Sequence, residues 1–380
     1  MNIAIMTQPL GQNYGGIMQA WALQQLLKNA GHQPVTIDRQ ADAKGRTYYA
    51  ARFGYRTLQK VLGKRKAPIN FERHLPMILR QTNGFIEKTI NMSEPLNSTA
   101  KLKAHFERVQ YDAVIVGSDQ TWRPCYSPNI YNFFLDFLQG SKIKRIAYAS
   151  SFGVDEWEYT EEQTQRCAML SKQFDIISVR EKSGVDLCRN HLEVKAAHVL
   201  DPVLLLEKNT YEELYKDKKI PRRQGVYTYI LDSADWKNQI VERAKEIFQK
   251  PQFSNQAKEK LSSIVTSNLA HYMLPSIESW IKGFADADFV ITDSFHGTVF
   301  SIIFEKPFVS LINPSRGASR FYSVADELNL RCRILEGYDE LSVNRLLATP
   351  IDYVDVRRRL NSLREKSTKI LIEALEGSYR

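Results

Sequence analysis

Much that would define a small secreted, metal-bound or membrane-embedded protein is scarce in this sequence of 380 residues. There are only four cysteines, Cys125, Cys167, Cys188 and Cys332, widely spaced, with no CxxC pair and no paired histidines nearby. That pattern argues against a disulfide framework and a zinc site and leaves reduced thiols. No stretch approaches the roughly 18 uninterrupted apolar residues of a membrane span. The opening segment MNIAIMTQPLGQNYGG has no basic region followed by an apolar one, so no secretory leader is expected and the cytoplasm is the expected location. Internal repeats and low-complexity tracts are also missing. Acidic residues are outnumbered, 43 Asp and Glu against 52 Lys and Arg, a formal net charge of +9. This balance favours anionic partners in general, whether nucleic acid, membrane surfaces, or phosphorylated and carboxylated ligands. No helix-turn-helix, zinc-finger or RNA-binding signature accompanies the charge, so nucleic acid is not an expected partner.

What is present is an ordinary globular composition, 43% hydrophobic and 25% charged, on a chain too long for one core. Two domains are expected, 1–220 and 221–350, with the polar segment PRRQG at their boundary and a C-terminal helix over 351–380. The pattern alternates strand and helix. NIAIMT, Asn2 to Thr7, reads as a strand, then comes a glycine-containing loop and the helical pattern IMQAWALQQLLKNAG, and Val35 to Asp38 is the next strand, parallel by a right-handed crossover. The apolar runs YDAVIVG, KRIAYASSFG and FDIISVRE suit parallel strands covered on both faces. The second half repeats the alternation with YTYIL, SSIVT, DFVITD and PFVSLI as strands and helices between them. VDVRRRLNSLREKSTKILIEALEG has apolar positions at three- and four-residue spacing, one long amphipathic helix. The fold class is therefore α/β, two doubly wound Rossmann-like domains with a terminal helix. Between Lys44 and Arg80, basic residues alternate with aromatics, either a solvated helical face or a surface for a membrane or polymer.

Open parallel sheets bind ligands beyond the carboxyl ends of their strands, so the loops after the predicted strands are informative. In GQNYGG, Gly15 and Gly16 allow close backbone approach, and the following helix would offer free N–H groups to an anion. In VGSDQTW a buried strand ends and then presents Ser118, Asp119 and Gln120, where a carboxylate can act as a general base or cap the next helix. SVRE puts Arg180 at a strand end, suited to a bidentate anion contact or to an ion pair with Glu181 or Asp201. In ITDSFHGTVF, Ser294 or Asp293 can cap a helix that holds His296 in its first turn, an imidazole beside free backbone donors. Arg316 and Arg320 follow the last apolar strand and can reach the same anion.

In this order, NYGGIMQAWALQ, VGSDQTWRP with the downstream YNFFLDF, SVRE, VLDPVLLL and DADFVITDSFHGTVFSIIFEKPFVSL resemble the signature segments of the polysaccharide pyruvyl transferase family, across roughly Asn2 to Leu330. The resemblance implies a glycosyltransferase-B-like fold. It also implies transfer of pyruvate from phosphoenolpyruvate to a sugar of a cell-surface glycan or its lipid-linked precursor, giving a cyclic ketal and free phosphate. By position, His296 is similar to the family histidine at the donor site, acting as general acid or phosphate ligand. Arg180 is similar to the arginine holding the donor's anionic groups, with Ser294, Gly297, Arg316 and Arg320 around it. Asp119 is similar to an acidic residue near the acceptor and is expected to act as its base. Asn13, Tyr14, Gly15, Gly16, Ser118 and Gln120 are expected on the acceptor side. Ser294 is a departure, since an arginine often stands two residues before this histidine in the family. Arg316 or Arg320 then substitutes, or the donor differs. No metal and no cofactor beyond phosphoenolpyruvate as co-substrate is expected. Peripheral contact with the inner membrane is a further expectation. The competing readings are a nucleotide-sugar-dependent glycosyltransferase, which would share the architecture, and a noncatalytic scaffold of a polysaccharide assembly complex.

Overall fold

A computed structural model of the chain describes residues 1–261, 268–312 and 317–377. Within them two wholly parallel sheets form. The first is built from β1 (Asn2–Met6), β2 (Gln33–Ile37), β3 (Ala113–Val116), β4 (Lys144–Ser150), β5 (Ile176–Val179) and β6 (Ala197–His198), in the order β2-β1-β3-β4-β5-β6. The second is built from β7 (Val226–Tyr229), β8 (Gln252–Phe253), β9 (Phe289–Thr292), β10 (Phe308–Leu311) and β11 (Ile334–Leu335), in the order β11-β10-β9-β7-β8. The central strands carry no polar alternation because helices cover both faces: every residue of Ala113–Val116, Ile176–Val179, Phe289–Thr292 and Phe308–Leu311 is buried. The anticipated strand SSIVT lies outside the described residues. At that edge β7 pairs with the two-residue β8, Val226 opposite Gln252.

Each sheet reverses its winding once, between β1 and β3 in the first and between β7 and β9 in the second. Such a reversal splays the loops on either side apart and opens a crevice at the carboxyl end of the sheet. Both crevices face the same space, which is what positions the site described below.

The helix Tyr14–Asn29 joins the halves. It is buried without a break from Tyr14 to Gln24, which explains a sequence apolar on all sides rather than along one stripe. The amide nitrogens of its two central glutamines are paired inside, while Gln19 Oε1 is buried without a hydrogen-bond partner. Gln19 Nε2 donates to Thr7 Oγ1 (2.8 Å) and Gly16 O (2.9 Å), and Gln24 Nε2 donates to Thr36 Oγ1 (2.9 Å) and Asn91 O (2.8 Å). Outside it, rings run in contact from one half to the other. Trp21 lies 5.6 Å from Tyr211, Tyr211 5.1 Å from Phe300, Phe300 4.9 Å from Trp280, and Trp280 5.2 Å from Tyr14. The Tyr14 hydroxyl then donates to Pro275 O at 2.6 Å. One hydrophobic cluster therefore includes residues of both sheets' flanks.

The C-terminal helix Tyr353–Glu376 is capped by Asp352, whose carboxylate accepts from Val354 N (3.0 Å) and Asp355 N (3.2 Å). It starts beside the second half, where the Tyr353 hydroxyl meets Lys306 O. It then crosses back to the first: Leu200 N donates to Ser367 Oγ (3.1 Å), Arg364 Nε to Leu204 O (2.6 Å), and Lys144 Nζ to Leu375 O. The helix thus ties the halves together from behind the cleft. Leu371 is fully buried and Val354 is 74% exposed. Leu371→Ala is expected to cost about 2–5 kcal/mol and Val354→Ala less than about 0.5 kcal/mol, read from urea unfolding midpoints.

Candidate active site

A cavity of about 280 Å³ lies where the two crevices meet. The loops beyond four strands line it in pairs: Gln12 and Asn13 after β1, Asp119 and Gln120 after β3, Leu231 and Asp232 after β7, Asp293 and Ser294 after β9. Tyr229, Phe295, His296, Arg320 and Phe321 complete the second half's share. The strand-end rule thus holds at both winding reversals.

His296 is placed by the local fold of its helix, Phe295–Ile303. Ser294 is the N-cap, accepting from Gly297 N at 3.4 Å. Asp293, the other candidate cap, is engaged elsewhere, accepting from Leu231 N (2.6 Å), Asp232 N (3.0 Å) and the buried ammonium of Lys237 (2.6 Å). Gly297 makes the turn possible by contact rather than by lining the cavity, since a methyl there would sit 2.2 Å from Thr292 Oγ1. With the cap set, His296 falls in the first turn and its ring reaches across to the first half. A methyl on Gly15 would lie 2.0 Å from His296 Nδ1, so only a glycine lets the Tyr14 helix come this close. At Gly16 the nearest atom would be Asp119 Oδ2, at 3.0 Å.

Arg180 and His296 do converge, and the anion they share is the chain's own Asp201. Arg180 Nη1 donates to Asp201 Oδ2 at 2.7 Å, Ser118 Oγ donates to the same oxygen at 2.9 Å, and His296 Nε2 lies 3.5 Å from it. The other oxygen of Asp201 accepts from Val203 N at 3.0 Å, capping the helix Pro202–Leu205. Burial alone would raise the Asp201 pKa, but His296 and Arg180 outweigh it and hold the carboxyl well below the usual carboxylate range. Of the two partners anticipated for Arg180, Asp201 is therefore the real one. Glu181 turns away, accepting from Phe152 N (2.7 Å) and Gly153 N (3.4 Å), and burial raises its pKa against the pull of Arg180 and Arg320.

Arg180 does not line the cavity; its side chain is buried behind it. Its Nε and Nη2 have no hydrogen-bond partner, and Nη2 is 4.0 Å from Asp119 Oδ1. Arg320 does line the cavity. The two guanidiniums flank the Phe295 ring, 4.9 and 5.7 Å from its centroid. Burial, with the like charge of Arg180, lowers the Arg320 pKa to about 10, which leaves it protonated at neutral pH.

Asp119 reaches the cavity through a left-handed backbone, φ 73°, a conformation that few side chains adopt and that is enriched at functional turns. No α-helix follows for it to cap. Its Oδ1 accepts from Gln120 N (2.9 Å), and Asn13 Nδ2 approaches Oδ2 at 3.5 Å. Gln120 lines the cavity. Ser118 is buried beneath it and serves Asp201. Tyr14 is buried too and faces Trp280 and Pro275, so it joins the halves rather than the cavity. Arg316 lies outside the described residues. Asp201 was foreseeable only as a partner for Arg180. Tyr126, Tyr229, Leu231 and Phe295, all on the cavity wall, carry no sequence signal beyond their place: Tyr229 ends β7, Leu231 follows it, Phe295 opens a helix and Tyr126 lies on a loop.

Asp201→Asn should leave the Arg180 charge uncompensated and cost about 3 kcal/mol or more. A carboxylate with a depressed folded pKa stabilises above its unfolded pKa and loses that contribution as pH falls through the folded value. The gap between wild type and Asp201→Asn in urea unfolding is thus expected to be full at neutral pH and to narrow once pH drops below about 4. Gly15→Ala should displace the imidazole and shift the His296 ring signals in NMR spectra. Gly54→Ala, whose methyl meets nothing within 4 Å, is the silent control.

The sequence model of the family described as polysaccharide pyruvyl transferase matches residues 13–315. No curated protein matches the chain. Among solved structures, UDP-GlcNAc 2-epimerase from Neisseria meningitidis is similar at 11% identity and TM-score 0.54, with 99% of this chain and 100% of that one covered. A glycosyltransferase from Rickettsia africae is similar at 10% identity and TM-score 0.52, covering 99% and 98%. The glycotransferase of kitacinnamycin is similar at 11% identity and TM-score 0.54, covering 98% of each chain. These likenesses show the glycosyltransferase-B architecture, two Rossmann-like domains about a cleft. The family model takes in the strand-end loops of both halves, from Asn13 past His296, and the chain belongs to the polysaccharide pyruvyl transferase family.

Proposed function

We propose that the cleft transfers the pyruvyl unit of phosphoenolpyruvate to two hydroxyls of one sugar on a cell-surface polysaccharide or its lipid-linked precursor, forming a cyclic ketal. The reading is carried by one observation: His296 and Arg320 from the second half and Asp119 from the first line the same small cavity. The reaction needs an acid, an anion cradle and a base, and these three residues supply one each.

A proton delivered to the methylene carbon of the donor turns it into a methyl group and leaves the central carbon electron-poor, as an oxocarbenium-like centre. The first sugar hydroxyl attacks that carbon and gives up its proton. The second hydroxyl then replaces phosphate at the same carbon, so one hydroxyl proton balances the methyl and the other leaves with phosphate. His296 is assigned as the acid, held by Asp201 on one side and by the Gly15 backbone on the other. Asp119 is the base for the acceptor hydroxyl.

Arg320 takes the place of the arginine that Ser294 replaces, meeting the donor's anionic groups from the cavity wall. Arg180 lies behind it, and its unpartnered Nε and Nη2 are the further donors available to the donor's carboxylate. Ser294 and the first-turn amides supply the rest of the anion's surroundings. Tyr229, whose pKa burial raises well above the ordinary phenol range, stays a neutral hydrogen-bond donor for the sugar. The volume of about 280 Å³ suits a small donor, since pockets for drug-sized ligands run from roughly 300 Å³ upward.

Incubation with phosphoenolpyruvate and a panel of glycan acceptors should release inorganic phosphate and give a ketal methyl signal by NMR. Turnover with a nucleotide sugar and none with phosphoenolpyruvate would overturn the reading in favour of glycosyl transfer. His296→Gln is expected to lower kcat by about 10²–10⁴. Arg320→Ala is expected to raise the KM for phosphoenolpyruvate by about 10–100-fold, the worth of a hydrogen bond to a charged group. Undiminished turnover in His296→Gln would remove this site from the chemistry and leave the scaffold reading.

A further inference from the structure

The helix Arg46–Val61 buries none of its residues. That is unusual for a helix carrying Tyr48, Ala51, Tyr55, Leu58 and, one residue past its end, Leu62 at alternating spacings of three and four, which align them in one stripe. Tyr55 is 63% and Leu58 56% exposed. Exposed apolar stripes of this kind mark surfaces that meet another phase or partner. Charge identifies which. From Lys44 to Lys66 the chain holds eight basic residues and no acidic one. Arg52 and Arg56 share Glu72, at the foot of the helix, while Lys60, Lys64 and Lys66 have no carboxylate partner among the described residues. Beside the stripe, Tyr55, Arg56, Gln59, Lys64, Arg65 and Lys66 line an open groove of about 590 Å³. A symmetric dimer through this face would set cation against cation there; an anionic bilayer would satisfy the stripe and the groove together.

We infer that this helix docks the protein on an anionic phospholipid surface, with the apolar stripe in the headgroup region and the basic groove on lipid phosphates. The arm that carries the helix is fastened to the cleft. Ala67 and Phe71 pack with Ile78, Leu79 and Tyr272, and Leu274 N donates to Ile78 O at 3.0 Å. Tyr272 and Leu274 line a second cavity of about 240 Å³ that shares Gln12, Tyr229 and Leu231 with the catalytic one. Docking through the helix therefore holds the cleft mouth near the lipid surface, where a lipid-linked acceptor is presented; that last step alone rests on the proposed function.

The test is co-sedimentation of the full chain with vesicles of phosphatidylcholine, alone or with about one third phosphatidylglycerol, at about 0.1 M salt. Binding is expected on the anionic vesicles only. Lys60→Ala, Lys64→Ala and Lys66→Ala combined should weaken it about 100-fold, at roughly fivefold per cation. Tyr55→Ser, Leu58→Ser and Leu62→Ser combined should abolish pelleting, with circular dichroism confirming the fold and phosphate release on a water-soluble acceptor unchanged. Equal partition on both vesicles, no pelleting, or binding that neither variant weakens overturns the proposal. So does a dimer that the serine variant dissolves, or retention by soluble polyphosphate without vesicle binding. Vesicle binding needs no donor, so it can succeed where the pyruvyl-transfer assay fails, and the reverse.

Discussion

The buried carboxylate of Asp201 is the constraint on which the site depends. It faces a guanidinium just past β5, an imidazole from the helix after β9, a hydroxyl from the loop after β3 and a backbone amide of its own helix. A lone ionised carboxylate so far from water would be costly. Here it is stabilised by the Arg180 guanidinium of the first half, while the His296 ring of the second half comes within 3.5 Å of the same oxygen, so docking of the halves and placement of His296 are coupled. Disturbing the carboxylate disturbs both.

The second constraint is space. The Tyr14 helix runs between the sheets, and the contact between its first turn and the His296 ring leaves no room for a side chain at Gly15. The same economy recurs at Gly317, in a left-handed turn, where a methyl would fall 1.7 Å from Gly153 O across the cleft. Backbone meets backbone or ring at these places, so the cleft walls are set by main-chain approach and not by adjustable side chains. The aromatic contacts from Trp21 to Trp280 and the terminal helix at the rear resist any change in the angle between the halves.

Most of the fold was legible in the sequence because buried parallel strands and fully covered helices write themselves as apolar runs. AVIV, IISV, FVIT and FVSL are strands where they were expected, and the helix Tyr353–Glu376 begins within a residue of its periodic pattern. The two-residue strands β6, β8 and β11 were not legible, since two residues carry no period. The helix Ser319–Glu327, which carries Arg320, also went unread: it is short and its N-cap, Ala318, offers no side-chain acceptor, although Phe321, Val324, Ala325 and Leu328 keep helical spacing. At the site, His296, Asp119, Asn13, Gln120, Ser294 and Arg320 were all named and all line the cavity. Arg180, Ser118, Tyr14 and Gly297 were named as well, but they stand behind the wall, as supports.

That difference marks the boundary between the two sources of information. The sequence by itself determined the alternation of strand and helix, and with it the loops at the strand ends that hold the reactive side chains, because both follow from local periodicity and capping. Only the tertiary structure decided which of those side chains face open space and which face each other. A guanidinium at a strand end can meet a ligand or a carboxylate with equal chemical logic. The choice falls to whatever group long-range packing brings within about 3 Å of it, and here that is Asp201.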